Sequence, residues 1–354
     1  MSPGGPGRTT GMRIAITGAT GNVGTALLRR LSAEPDIEVI GIVRRRPQPD
    51  AGPPYDGVEW HAADLSDPAC LHPLADRLAG LDAVVHLAWQ FHPGRQPTPP
   101  RRTNLNSLRH VLNAMLAADV PRLVYASSVA AYAPGPKDRR VDESWPTAGI
   151  GRRSGYSVDK AAAEAMLDAA ERDYPSLRVV RLRLPLVVQR EAGAEVARQF
   201  LGRLVPIPLV RNGRIPVVPR HRLLRAQVVH ADDAAEAFLR VLRSDRTGAF
   251  NIAAEPVLDG RLIAAEFGGL AAPLPLPLLR LLARTAGRSR LVPAGESWLE
   301  LSAAVPLLDC SRAERELGWR ARHDARDALR DLLAGIAAGS GADSPPMRPR
   351  QQAA

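Results

Sequence analysis

Residues 13–24 read Arg13-Ile-Ala-Ile-Thr-Gly-Ala-Thr-Gly-Asn-Val-Gly24. The apolar run Ile14–Ile16 has the character of a buried strand, and Thr25-Ala-Leu-Leu-Arg-Arg-Leu31 that of a helix. Between them lie Gly18, Thr20, Gly21, Asn22, Val23 and Gly24. Strand, glycine turn and helix start in this order make a cradle for a dinucleotide. Gly18 lets the chain turn off the strand, Gly21 lets a pyrophosphate approach the backbone, and Gly24 lets the helix lie close on the sheet. The phosphates then rest on free N–H groups at the helix N-terminus. The spacing is GxxGxxG rather than GxGxxG, and glycine turns are common. The order of the flanking elements therefore carries the reading more than the glycines do.

Working outward, strand-like and helix-like segments alternate, which predicts an α/β fold: a Rossmann-type, doubly wound parallel sheet. The second strand, Ile37–Val43, ends in Arg44-Arg45-Arg46, while Asp36 and Glu38 lie at its other end. The end of this strand faces the adenosine ribose. An acidic residue there binds the 2′-hydroxyl of NAD, and an Arg accommodates a 2′-phosphate. Arg44 therefore points to NADP, with NAD the alternative. After a third strand at 58–62, Asp64-Leu65 can accept from the adenine amino group, or Asp64 can start the helix near Pro68. The fourth strand, 82–88, brings Leu87, small Ala88 and then Trp89 to the cofactor, and His86 within it reads as a core histidine. Trp89, Phe91 and His92 open a loop that either walls a substrate pocket or caps the cofactor.

The fifth strand ends at Ser127-Ser128, and Tyr156-Ser-Val-Asp-Lys160 heads a helix. Positions 156 and 160 are one turn apart and share a helix face. Such a Ser, Tyr and Lys beside a dinucleotide suit hydride transfer coupled to proton transfer. Ser128 holds the reacting oxygen and Tyr156 is the acid/base. Lys160 favours the phenolate and can bond the nicotinamide ribose. Lys137 and Lys160 are the only lysines in an Arg-rich chain, so each marks a place where Arg would not serve. The sixth strand, 177–184, ends at Pro185, also on the cofactor side.

The expected organisation is a disordered leader at 1–11 and a nucleotide domain at 12–189, completed by about 227–255 and 305–337. Segments 190–226 and 256–304 form a smaller C-terminal substrate lobe, and a Ser-, Gly- and Pro-rich tail at 339–354 is expected to be disordered. No run is apolar enough to span a bilayer, and the N-terminus lacks the apolar core of a secretory signal. Two cysteines without metal-like neighbours suggest neither a disulfide framework nor a metal site, and a reducing cytoplasm is expected. A net charge of +10 could suggest nucleic acid, but the arginine clusters are scattered with few aromatics between them. A solvated basic surface and a small-molecule substrate are expected instead, with neither nucleic-acid nor membrane partners.

Taken together, these residues resemble the extended short-chain dehydrogenase/reductases, in particular the NAD-dependent epimerase/dehydratase family. Thr17–Gly24 is similar to the family's TGxxGxxG, Asp64-Leu65 to its adenine-binding pair and His86-Leu-Ala88 to its HxA strand. Ser127-Ser128-Val-Ala-Ala-Tyr132 resembles SSxxxYG, and Tyr156 with Lys160 falls on YxxxK. Val229-His-Ala-Asp-Asp233, Phe250-Asn-Ile-Ala253 and Ser311–Trp319 resemble VHVDD, YNIA and SKARRELGW, while Asn104 fits the NVxGT helix although Ser107 replaces its Gly. The resemblance implies an NAD(P)-dependent enzyme and a homodimer. Two departures favour the reductase side over the sugar epimerases. Arg183-Leu-Pro185-Leu-Val-Val-Gln189 lacks the family's Tyr-Gly, and Ala226 stands where nucleotide-sugar members carry an Arg. An epimerase or dehydratase working on a nucleotide sugar is the alternative, and a non-catalytic dinucleotide sensor is the alternative from another class.

Overall fold

The computed structural model describes residues 11–91, 100–151, 154–201, 217–288 and 295–349. Most of the expected leader, His92, part of the expected lobe and the last residues of the expected tail fall outside these ranges. Seven parallel strands form the central sheet: β1 (Met12–Thr17), β2 (Ile37–Val43), β3 (Glu59–Ala62), β4 (Ala83–His86), β5 (Arg122–Ser128), β6 (Arg178–Leu184) and β7 (Gly248–Asn251). Their order is β7-β6-β5-β4-β1-β2-β3, all parallel. The inner strands are apolar on both faces because helices cover both faces, so they read as continuous rather than alternating runs. The winding reverses between β1 and β4, and the crevice beyond their C-terminal ends is where such sheets hold ligands.

On one face, α1 (Asn22–Leu31) and α5 (Ala231–Leu242) pack Leu27 and Phe238 against Ile14, Ile16 and Phe250. On the other, α2 (Leu71–Leu78), α3 (Pro100–Ala117) and α4 (Gly155–Asp173) pack Leu74, Leu108 and Leu167 against Ala15, Val84 and Leu123. Full burial of each such side chain contributes about 1.5–3 kcal/mol. Trp319, from the Leu-Gly-Trp segment, is buried in the first core, and its Nε1 donates to Asp233 O at 2.8 Å. Asp233 also accepts from the amides of Arg322 and His323 at 3.0 and 2.9 Å. The second Asp of the His-Ala-Asp-Asp stretch thus fastens the C-terminal segment to the sheet.

Beyond β6 the chain leaves the sheet. Leu186–Val188 pairs with Val228–His230, and Val217–Arg220 pairs with Leu270–Pro273. Helices Gly260–Glu266, Leu276–Arg288 and Glu296–Ala304 complete the smaller lobe. Lys137, one of the two lysines, donates to Arg225 O and Ser302 O at 2.8 and 2.7 Å, which ties the loop after β5 to this lobe.

Residues 339–349 differ from the disorder expected of them. Helix Ala325–Ala338 ends at Gly339, and the following segment folds back over the glycine turn. Ser344 and Met347 are buried, the Ser344 hydroxyl donates to Thr20 O at 2.9 Å, and the Thr25 hydroxyl meets Met347 Sδ at 3.5 Å. Arg198 donates to the carbonyls of Pro346 and Arg348. One apolar side chain and a few backbone acceptors suffice to seat a segment whose composition carries no periodic signal.

Candidate active site

The cofactor cleft begins at the glycine turn. Gly18 has φ +71°, and a Cβ there would lie 2.7 Å from Ala88 N. The turn and the end of β4 are therefore in backbone contact, which is why position 88 is small. A Cβ on Gly24 would lie 2.5 Å from both Gly18 O and Ala19 O, so the helix seats directly on the turn. Gly21 precedes α1 in an extended conformation with no side chain capping the helix, which leaves first-turn N–H groups without an internal acceptor. A cavity of about 320 Å³ runs from this turn past Arg44, Asp64, Leu65, Leu87 and Trp89. Asp64 Oδ1 accepts from the Ser66 hydroxyl and amide, and these bonds, with Arg44 nearby, hold its carboxyl below the usual range. Asp67, rather than Asp64, caps the following short helical turn through Ala69 N. A cradle that any Cβ would fill, an uncapped helix start and a continuous cleft fit a dinucleotide.

His86 is buried, its Nδ1 lies 2.8 Å from the Thr17 hydroxyl, and burial pushes its pKa down to about 3. It is a neutral core imidazole, as its apolar strand implies.

A second cavity, of about 300 Å³, adjoins the first and is lined by Ser128, Tyr156, Lys160, Pro185 and residues of the smaller lobe. Ser128 ends β5 and accepts from Ala130 N at 3.2 Å, turning the chain sharply. The start of α4 is pinned to that turn. Ser154 is the N-cap, the Ser157 hydroxyl donates to Ala130 O at 2.6 Å, and Ile150 N donates back to it at 2.8 Å. Tyr156 therefore faces Ser128. Burial pushes its phenol up, and a hydrogen bond with the Ser128 side chain pulls it partly back.

Lys160 lies on the same helix face, but its ammonium is turned elsewhere than the sequence suggests. It donates to Ala126 O at 2.7 Å and to the Tyr125 hydroxyl at 3.1 Å, and it sits 3.8 Å from the centroid of the Trp89 ring. Burial lowers its pKa to about 7, with Glu164 opposing. In this arrangement the Tyr156 phenol is governed by burial and Ser128. An α-helical turn brings the two side chains to one face, and the carbonyl of β5 then captures the flexible ammonium.

Behind the site, Glu164 accepts from Arg183 Nε and Nη2 at 2.9 and 2.7 Å and from the Ser127 hydroxyl at 2.5 Å. Arg183 also donates to the Tyr132 hydroxyl, which donates to Asn251 Oδ1 at 2.7 Å. Burial pushes Glu164 up, but Arg183 more than offsets it and the carboxylate stays charged. This network locks α4 onto β5, β6 and β7, and so fixes where Tyr156 points.

Sequence reasoning missed Glu195, Phe200 and Trp298 in the second cavity, Pro345 and Pro346 in the first, and Arg45 beside Arg44. Glu195 borders both cavities. Gln199 donates to its Oε1 at 2.9 Å, Oε2 is buried with no hydrogen-bond partner among the described residues, and burial pushes its carboxyl up. Arg45 belongs to the arginine run that marks Arg44, but no local motif marks the others, since each reaches the site through tertiary packing.

A doubly wound sheet with a glycine cradle, an adjoining pocket and a covering lobe is the architecture of the extended short-chain dehydrogenase/reductases. The family model described as the NAD-dependent epimerase/dehydratase family matches residues 14–253, and the chain belongs to that family. An uncharacterized protein of Mycobacterium tuberculosis is 28% identical over 328 residues, covering 92% of this chain and 30% of its own length. The chain thus spans about a third of that relative. Among solved structures, the UDP-glucose 4-epimerase of Thermotoga maritima with UDP-glucose is similar in fold, at TM-score 0.67 and 17% identity over 92% of this chain and 98% of that one. The dTDP-glucose 4,6-dehydratase of Streptomyces venezuelae with NAD bound is comparable, at TM-score 0.65 and 21% identity over 92% and 96%. No helix among the described residues is long and apolar enough to cross a membrane.

Proposed function

We propose that the protein is an NADP-preferring oxidoreductase that interconverts a carbonyl compound and a secondary alcohol. The observation that carries this reading is the second cavity. It holds Ser128 and Tyr156 side by side, while Lys160 is the only cationic side chain among its described lining residues. A nucleotide sugar brings two phosphates, which need cations or a helix start to hold them; a simple carbonyl compound does not. Gly18, Gly21 and the first turn of α1 would hold the pyrophosphate, Asp64 the adenine, and Arg44 with Arg45 a 2′-phosphate. When bound, the cofactor supplies or takes a hydride.

The chain's own residues do the rest. Ser128 orients the carbonyl oxygen through its hydroxyl. Tyr156, kept protonated by burial, gives its proton to that oxygen as the bond to carbon is made, and takes one back in the oxidation. Lys160, when charged, supplies a positive field behind the phenol. Trp89 and the smaller lobe keep water from the reacting carbon. The fold of the sugar epimerase and dehydratase neighbours supports the second reading, in which the cofactor is never consumed. A non-catalytic sensor would leave the paired Ser128 and Tyr156 without a task.

Titration of the purified protein with NADPH and NADH, followed by absorbance at the reduced nicotinamide band with a ketone and aldehyde panel, tests the proposal. NADPH is expected to bind at least tenfold more tightly, with Arg44→Ala removing most of the difference. Tighter NADH binding would refute the cofactor assignment, and bound cofactor that is never oxidised by any carbonyl would favour the epimerase reading.

A further inference from the structure

We propose that the pocket beside Tyr156 takes an uncharged substrate with an aromatic ring attached next to its reacting carbonyl or carbinol. The inference rests on the reductase reading above. The chain is poor in aromatic residues, with five Phe, five Trp and five Tyr in 354 residues. Yet Trp89, Phe91, Tyr156, Phe200 and Trp298 all line this one cavity. They come from the end of β4, the head of α4, the helical turn at 197–201 and the helix Glu296–Ala304, so local sequence cannot explain their meeting.

Their geometry is a box of ring faces and edges. Phe91 meets Tyr156 edge-on at 4.9 Å between centroids and stacks on Phe200 at 5.6 Å. Trp298 stands across both, at 4.8 Å from Phe200 and 5.8 Å from Phe91. Such pairs prefer these offset and edge-to-face arrangements, and a planar ring entering the box extends the same pattern.

A cluster of this kind could instead be core that fastens the lobe to the sheet. Facing an open cavity, as well as partial exposure, distinguishes the pocket rings from core. Tyr125, Tyr132, Phe238, Phe250 and Trp319 are core aromatics at most 1% exposed, and Tyr55 and Phe267, at 4% and 6%, are buried as well. The five pocket rings all retain exposure to the cavity. Charge narrows the substrate further. Lys160 and Glu195 are the only charged side chains among the described lining residues, and Lys160 is already held by Tyr125 and Ala126. Leu184, Val187, Leu301 and Val305 supply apolar walls. A carboxylate or phosphate on the substrate would meet Glu195 with no free cation among these residues to offset it. The cavity of about 300 Å³ is at the small end of ligand pockets, which suits a fused or single ring rather than a large conjugate.

The test compares 2-acetylnaphthalene, its saturated decalin analogue and 4-acetylbenzoate on the full chain. Two readouts are used: NADPH oxidation, and quenching of intrinsic tryptophan fluorescence by each ketone without turnover. The aromatic ketone is expected to show kcat/KM and affinity at least about fivefold above the saturated one, the size of two or three aromatic pairs. The benzoate should be the poorest of the three. Phe200→Leu and Trp298→Leu keep an apolar side chain but remove the ring, and each should narrow the aromatic preference mainly through KM. Equal use of the saturated ketone, preference for the benzoate, or an aromatic preference unmoved in both variants overturns the inference. The two levels separate cleanly. Ketones reduced with no ring preference leave the reductase reading standing and remove this one. Aromatic-selective quenching with no NADPH oxidation does the reverse.

Discussion

The two cavities that meet at Trp89 and Glu195 are built by opposite means. The cofactor cleft is backbone-made: a glycine turn, an uncapped helix start and the ends of β1, β2 and β4. Its central parts lie within a dozen consecutive residues, because a phosphate cradle needs neighbouring amides. The substrate pocket is side-chain-made, from residues near 91, 128, 156, 200 and 298. Its shape depends on how a small lobe seats on the sheet. A substitution in the pocket should therefore alter chemistry while leaving the cleft intact, and this separation can be attacked directly.

The largest effect is expected from Tyr156→Phe. It removes the proton donor and keeps the ring, so kcat should fall by about a thousandfold, within the range for a positioned general acid. Fluorescence titration should show the dinucleotide bound as before. Loss of cofactor binding together with activity would show that the two cavities are one cooperative unit. Unchanged turnover would remove Tyr156 from the chemistry.

Next in size is the network that orients both cavities. Arg183→Met removes both guanidinium hydrogen bonds to the buried Glu164 carboxylate and leaves it Ser127 and, at 3.6 Å, the Arg181 Nε. Removing one partner of a buried ion pair costs up to about 3–5 kcal/mol, and the remaining Arg181 puts the loss at or below the lower end, read as a lower midpoint in urea unfolding. The double variant Arg183→Met/Glu164→Leu should recover much of that loss, because the stranded charge is gone. A single variant as stable as the parent would mean that the pair is not buried in solution.

The contrast also explains what was legible beforehand. The first six sheet strands lie close to where the sequence places them, because apolar runs bounded by turn residues are a local signal. Gly18, Arg44, Asp64 and Ala88 line the cleft and were legible because each follows a strand end, and Gly24 because it sits in the first turn of the helix after the glycine turn. The direction of the Lys160 ammonium was not, since a four-carbon side chain chooses among acceptors that only tertiary structure supplies. Phe200 and Trp298 were invisible for the same reason, as was the seating of residues 340–349. A single Met and Ser in a Pro-rich stretch form no period, and their partners, Thr20 and Thr25, lie more than 300 residues away.

The two lysines give a pH test that separates the lobe from the catalytic face. Burial lowers Lys137 and Lys160 each to about 7 in the folded protein, against an ordinary value of 10.5. Between those limits the unfolded chain binds more protons than the folded one. Stability should therefore rise as pH climbs from about 7 towards 10, and should gain nothing from these groups below 7. Thermal midpoints measured from pH 6.5 to 9.5 should show this upward slope, and Lys137→Met should flatten it by about half. The rate of carbonyl reduction should move the other way, falling above about pH 7 as Lys160 loses its charge. A Lys137→Met protein with an unchanged slope would show that the buried lysine beside Arg225 and Ser302 keeps its proton throughout.

The smallest expected effect concerns the segment that crosses the glycine turn. Pro345 and Pro346 line that cleft, Ser344 is bonded to Thr20 O, and Met347 is packed against Thr25. A dinucleotide lying on the turn would have this segment as one wall, and leaving would require either threading past it or lifting it. Ser344→Ala removes one buried hydrogen bond, worth about 0.5–1.5 kcal/mol, from the arrangement that holds the wall down. Stopped-flow displacement should therefore show NADPH leaving about two- to tenfold faster, with the association rate nearly unchanged. The ratio of activities on aromatic and saturated ketones should stay the same, because the wall belongs to the other cavity. Slower association with unchanged release would mean instead that residues 344–347 shape the entrance and do not retain what has entered.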